Sequence, residues 1–448
     1  MMDKVLAHDN NLLDDDLEQT ISTDRKYLRN ARMIALNYSP VSEEALELCT
    51  QLSDKVTRAD PKRSRQRRGE KKKKFGFAIG AFVTDLMLGY RRAGVLWSYR
   101  PKSSNSFSDE KVSYRHFESL ERGFYALRLI EKLPGFYERA EDGMGSRGFA
   151  TRYLPTQKLI RYVSLFGLTP ENINQHFQHS LPRHPLELRQ PSSRRGREKI
   201  RGKKIKFVST AETETLESEV QELNKFIETF EITGGTHRGF RRIFNEGRSD
   251  AYRWNKGGRL TSIGDDSYQQ LKQKLRAKIL INAESTIELD IRASHFTILQ
   301  SKLGLNQDKA KDPYEVPGLT RDIAKAWIKM TLGYDKFHSR WPDNIKAEFE
   351  KKDINIVIKY PLKKVKSLIL DYYPMMANWP EYPIDCFDLM YSESEAIIDT
   401  MLDLKRTYAI PSLPVHDSLI VRKKDQKITL QSLKTHYLKA CGVEPVIK

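Results

Sequence analysis

The chain has 448 residues, with 77 Lys and Arg against 59 Asp and Glu, a formal charge of +18 and a pI near 9.5, a balance that favours a polyanionic partner, nucleic acid first. Its length suits about two or three domains, and a hydrophobic fraction of 39% lets each bury a core without help. Cys49, Cys386 and Cys441 have neither the CxxC spacing nor the His partners of a zinc site, and no window approaches the roughly 18 apolar residues of a membrane span, so a reduced, cytoplasmic protein with no membrane partner is expected.

Residues 1–56 read as a helical N-terminal segment, with Val41, Ala45, Leu48 and Leu52 at helical spacing. Residues 57–74, TRADPKRSRQRRGEKKKK, lack apolar residues after Ala59 and read as a mobile basic arm. Residues 75–186 then run helix, helix, strand, glycine-bearing loop, strand, an order that suits a winged-helix-like DNA-binding domain. In that reading the helix Ser113–Leu127 enters the major groove with Arg115, His116 and Arg122, and the hairpin Leu129–Leu154 touches backbone with Arg147 and Arg152. Residues 187–208, centred on SRRGREKIRGKKIK, read as a basic linker, and Ser209–Phe230 as a long amphipathic helix opening a last unit, 209–448.

Chemistry concentrates in that last unit. STIELDIRASHFTIL, Ser285–Leu299, alternates as a strand up to Asp290 and returns to helical spacing beyond it. IPSLPVHDSLIVRKK reads as a tight hairpin with His416 and Asp417 at its tip. Carboxylates brought together from separate strands can hold two Mg²⁺ ions about 3.5 to 4 Å apart, and Mn²⁺ can substitute. Between them, LTRDIAKAWIKMTLGY repeats Arg321, Lys325 and Lys329 every four residues, while Ile323, Trp327 and Met330 fall elsewhere on the helix. Such a cationic ladder can grip a triphosphate and protonate departing pyrophosphate.

These segments, in this order, resemble the polymerase domain of the family A DNA polymerases and, more distantly, the single-subunit RNA polymerases. GGRLTS at Gly257–Ser262, preceded by RRIFN at Arg241–Asn245, looks like the TGRLSS motif; Leu275–Leu299 looks like motif A; Arg321–Tyr334 looks like the fingers helix; PVHDSLIV at Pro414–Val421 looks like motif C. The resemblance implies an α+β fold with a palm and reduced fingers at the C-terminus, after a thumb remnant. It implies Asp290 and Asp417 as metal ligands, Lys325 as a catalytic residue, and Arg321, Lys325, His295 and Tyr334 as nucleotide contacts. Arg259, Arg276 and His416 are expected to touch nucleic acid.

Three departures bear on the sugar. His295 stands where the family's motif A has glutamate, Tyr334 lies one residue further from Lys325 than the family's aromatic, and His416-Asp417-Ser418 is the motif C form of the single-subunit RNA polymerases. Together they point toward tolerance of ribonucleotides. The expected function is template-directed synthesis on DNA by two-metal phosphoryl transfer, with deoxynucleotides foremost. A primase or RNA polymerase is the nearest alternative, and a DNA-binding replication initiator with an inactive palm is another. Expected partners are nucleoside triphosphates and DNA, either primer-template or an origin-like duplex, and the basic N-terminal domain suggests replication of a mobile element by analogy.

Overall fold

The structure is a computed structural model that describes Leu28 and residues 31–91, 97–107, 111–139, 146–195, 198–200, 202–247, 252–264, 267–306, 308–334 and 336–448. It is a mixed α+β chain with small sheets, and it divides into two compact units, Met1–Ser180 and Leu181–Lys448. Among the described residues no helix is long and apolar enough to cross a membrane.

In the first unit, strands β1 (Arg32–Met33) and β2 (Tyr38–Pro40) precede helices α1 (Glu43–Ala59) and α2 (Gly69–Arg91). Then come β3 (Ser98–Arg100), α3 (Tyr114–Ala126), β4 (Ile130–Leu133), the hairpin β5 (Phe136–Arg139) and β6 (Ser146–Phe149), β7 (Thr151–Pro155), α4 (Gln157–Ser164) and β8 (Phe177–His179). One sheet runs β1-β3-β7-β4, and β2 pairs with β8. Of the segment expected to be helical, residues 1–27 lie outside the described residues, and residues 31–42 form two short strands joined by irregular chain, not a helix. Its residues Ile34 to Tyr38 are buried on both faces, so no strand-like alternation marks them, and Pro40 cannot donate to a helix.

The segment 57–74 is not an arm. Ala59 closes α1, Gly69–Lys74 opens α2, and between them Arg67 is only 7% exposed. Its guanidinium lies 3.4 Å from the Phe75 ring centroid and donates to Thr57 Oγ1 and Ser119 Oγ, both at 2.7 Å. Asp60, buried beneath, accepts from Arg122 at 2.8 and 3.1 Å. A basic run thus folds because one of its arginines finds a ring and two hydroxyls.

The second unit begins with β9 (Leu186–Arg189), the hairpin β10 (Ser193–Arg195) and β11 (Glu198–Ile200), and β12 (Lys204–Ile205). The stretch expected to be a linker is built into the sheet β12-β9-β14-β15, where β14 is Phe240–Phe244 and β15 is Gly257–Ser262. Leu186 and Leu188 carry it, alternating into the core while the charged residues between them dominate the composition. Helix α5 (Ala211–Ile227) starts on a capping box formed by Thr210 and Thr213.

A second sheet runs β13 (Ile232–Thr233), β16 (Leu280–Ile281), β17 (Glu284–Asp290), β19 (Ser418–Arg422), β18 (Ser412–Val415). Helices α6 (Ser294–Lys302), α7 (Arg321–Leu332), α8 (Leu362–Tyr372), α9 (Cys386–Tyr408) and α10 (Gln426–Cys441) complete the unit, with α9 packed on α10, β15 and α6.

Candidate active site

Strands β17 and β19 pair antiparallel with Asp290 opposite Ser418, so the end of one strand meets the tip of the β18–β19 hairpin. At that tip His416 adopts φ 55°, in the left-handed region, and this turn presents Asp417 beside Asp290. Ile291 N donates to Asp417 O at 3.1 Å, fixing the two segments to each other. On the other side Asp290 N donates to Lys448 O at 3.2 Å and Lys448 N to Asp290 O at 2.9 Å. Two carboxylates distant in sequence are thereby held by backbone, not by side-chain chance.

Both face one cleft of about 460 Å³, lined among others by Arg259, His295, Tyr314, Glu393, His416 and Lys448. Arg321, Lys325 and Lys329 line it too. Helix α7 buries Ile323, Ala324, Trp327 and Ile328 in the core, which leaves the three cations, one turn apart, on the cleft side. Leu332 and Gly333 border the cleft. Tyr334 does not: its ring stacks on His338 at 4.5 Å and its carbonyl accepts from Trp379 Nε1. Tyr334 lies two residues beyond the end of α7, which carries the ring past the helix, so its expected place at the nucleotide is not reproduced.

Electrostatics make the carboxylate pair a receptor for positive charge. Burial raises the Asp290 carboxyl to about 6, the charges of Asp417 and Glu288 add to it, and Lys325 and Lys329 oppose it. Asp417 is also raised, by burial and then by Glu393. Lys325 is lowered by burial and by Lys329 and Arg321. Among the described residues no group of three or more His, Cys, Asp or Glu could enclose a metal ion. Two carboxylates still suit Mg²⁺, which is usually bound through one or two carboxylates and substrate phosphates and keeps several waters. Their mutual repulsion in a half-buried cleft is the feature a divalent cation relieves.

A second cluster adjoins the first. Glu393, on α9 and 1% exposed, accepts from Arg259 Nε at 3.0 Å and again from Arg259 Nη2. Arg259 Nη2 also meets His295 Nε2 at 3.0 Å, and His295 lies 3.5 Å from Glu393 Oε2. Burial would raise the Glu393 carboxyl, but Arg259 and His295 outweigh it and hold it below the usual range. His416 is lowered by burial and by Arg259. Sequence reasoning missed Glu393 and Tyr314. The signal for Glu393 was an acid in helical phase with Leu389, Ala396 and Thr400, all of them buried.

Several expected contacts are absorbed by the fold instead. Arg276 donates to both Glu288 oxygens, at 2.9 and 2.7 Å, and to Leu271 O, outside the cleft. Ser418, 1% exposed, donates to Glu288 and to Val415 O, so its hydroxyl staples β17 to the hairpin and does not face a sugar. Arg321 Nε is bound to Asp312 at 2.8 Å and its guanidinium lies over the Tyr314 ring. In the first unit Arg152 is 3% exposed, donates to Leu28 O and Ala150 O, and contacts the rings of Tyr99, Phe136 and Phe149, so it is not a DNA contact. Arg122 is paired with Asp60, and His116 is half-buried near Phe75; of the α3 candidates Arg115 alone is exposed. The Arg147 side chain lies outside the described residues.

Compared with models of known protein families and with curated proteins, the chain matches none.

Proposed function

We propose that Leu181–Lys448 is a template-directed nucleotidyl transferase acting on a DNA template, with a family A-like palm formed by β17, β18 and β19. One observation carries this reading: Asp290 and Asp417 meet across paired strands and face Arg321, Lys325 and Lys329 in a single cleft. A paired acid site opposite a cationic ladder fits a triphosphate with its cations. When bound, two Mg²⁺ ions would supply activation of the primer hydroxyl and charge neutralisation on the phosphates.

The chain's own groups have separate tasks. Asp290 and Asp417 would hold the ions. Lys325 and Lys329 bind the phosphates, and Lys325, half-buried and less basic than a free lysine, is placed to give a proton to the departing pyrophosphate. Arg321 reaches the same phosphates after exchanging Asp312 for them. His295, held by Arg259 beside Glu393 and lining the same cleft, would meet the sugar and set the deoxy or ribo preference.

Ribonucleotide use, as by a primase, is the second reading. It is favoured by His295, an imidazole that Arg259 and Glu393 hold in place and that can hydrogen-bond a 2′-hydroxyl. The first unit supports a winged-helix DNA-binding role: β3, β7 and β4 form consecutive antiparallel strands, α3 precedes β4, and a separate β5–β6 hairpin connects β4 to β7 in sequence.

The test is primer extension with Mg²⁺, deoxy- and ribonucleotides supplied separately, by the wild type beside Asp290→Ala and Asp417→Ala. Extension by the wild type, lost at least 1,000-fold in either variant, is expected, since each change removes a ligand on which the phosphoryl transfer depends (on the order of 4 kcal/mol). A wild type that extends no primed template with either nucleotide set sinks the proposal, and strict deoxynucleotide use sinks the ribonucleotide reading.

A further inference from the structure

The first unit carries a second feature that the polymerase reading does not use. Between Arg58 and Lys74 there are ten Lys or Arg against two acids, Asp60 and Glu70. Asp60 is buried and consumed by Arg122 and Ser119, and Glu70 pairs with Lys73 at 3.4 Å. Lys72 reaches Asp54 at 2.8 Å. Arg58, Arg63, Arg65, Arg68, Lys71 and Lys74 are exposed and make no ion pair among the described residues.

These charges are not scattered. Arg67 is depressed to about 10 by burial and then by the charge of Arg63, with Arg122 adding to it. His116, in the first turn of α3, is lowered by burial and then by Arg67, Lys74 and Arg63. A loop, the start of α2 and the start of α3 therefore converge into one positive region. Arg67 clamps that region from beneath through Phe75, Thr57 and Ser119, so the cations are held together although they repel. Concentrating like charge on a folded surface costs stability unless a polyanion meets it.

We propose that this basic collar, residues 58–74 with Arg115, is a binding face for the phosphate backbone of duplex DNA, and that charge, not base reading by α3, supplies the affinity of the first unit. The side chains of α3 expected to read bases support this division: Arg122 is tied to Asp60, and His116 is packed near Phe75. The exposed arginines and lysines, by contrast, have long solvated stems that can follow a backbone of any sequence. The inference does not rest on polymerase activity, because it concerns binding alone.

The experiment uses the full chain and a fluorescent duplex of random sequence, with binding followed by anisotropy over a range of salt concentrations. Neutralising four collar cations together, Arg63→Gln, Arg65→Gln, Arg68→Gln and Lys71→Gln, is expected to weaken binding at least tenfold at low salt. It should also reduce the slope of log K against log salt by about 3 to 4, at roughly 0.9 for each phosphate that no longer meets a cation. The matching variant with the three arginines changed to lysine should keep the wild-type slope, which separates loss of charge from loss of fold. Arg115→Gln alone should lower the slope by about 1 or less. An unchanged slope in the neutralised variant overturns the proposal. So does a preference of more than tenfold for one duplex sequence that Arg115→Gln abolishes, or equal competition by poly-glutamate, which would make the face a receptor for acidic polypeptides.

Discussion

Glu393 shows how a single buried charge is tied into the site. It sits fully inside the second unit, and Arg259, itself partly buried, is its counter-ion through two donors. Breaking such a pair from one side leaves an uncompensated charge, which costs about 3 kcal/mol or more, whereas removing both partners together costs much less. Glu393→Gln should therefore lower the free energy of unfolding in urea by about 3 kcal/mol, and Arg259→Met with Glu393→Leu should recover most of that loss. Equal losses in the single and double variants would show that the pair does not act as a unit. The helical phase of Glu393 with buried neighbours is a weak signal, because an acid on a charged, amphipathic helix is ordinarily a solvated one. Asp290 and Asp417 were legible for the opposite reason: each ends an apolar run, where a strand must stop and a side chain must point somewhere. Arg122 and Arg152 were misread because a sequence does not say whether an arginine has found a carboxylate or a stack of rings within its own fold.

Among the elements, α7 was legible from spacing alone, since its apolar and cationic positions separate cleanly onto two faces. Strands β9 and β12 were not, because they are short, and the composition around them is that of a linker. The cationic face of α7 makes a prediction that belongs to the helix as a whole. Lys325→Ala should reduce the efficiency of nucleotide incorporation by about 100-fold, on the order of 3 kcal/mol, with the affinity for primer-template nearly unchanged; parallel loss of both would mean that the ladder grips DNA. Helix α5 is fastened to α9 by another charge cluster, in which Arg406 and Lys405 bond Glu222. Those bonds, Arg406 first, hold the Glu222 carboxyl at about 2, below its ordinary 4.5. A depressed carboxyl stabilises the fold above its unfolded-state value and stops doing so as pH falls through the folded one. Glu222→Gln should thus cost about 1 kcal/mol at neutral pH, discounted for partial exposure, and the gap to wild type should close between about pH 4.5 and pH 2. A gap that persists unchanged at pH 2 would assign the loss to packing.

At the scale of the whole molecule, the division at Ser180 has an energetic basis. Among the described residues, the large apolar cluster of the second unit is drawn from Leu186 onward, while the clusters of the first unit end at Phe177, so the clusters share no residue. Units with private cores fold as separate cooperative blocks. The boundary itself was only partly legible: the sequence suggested a basic linker near residue 200, whereas the break precedes β9, because Leu186 and Leu188 commit that stretch to the second core. A fragment beginning at Leu181 should fold alone with a single urea transition, and the full chain should show two transitions or one broadened by their overlap. If the nucleotidyl transferase reading holds, the fragment should also extend a primer when template is saturating, yet lose activity steeply when template is dilute. The first unit would otherwise raise the local concentration of DNA around the palm, an effect worth about 10² to 10⁴ in apparent affinity when the geometry allows both units to engage. Neutralising the collar in the full chain should reproduce the fragment's behaviour, low activity on dilute template and wild-type activity at saturation. A fragment that matches the full chain at every template concentration would show that the two units bind DNA independently of each other's work.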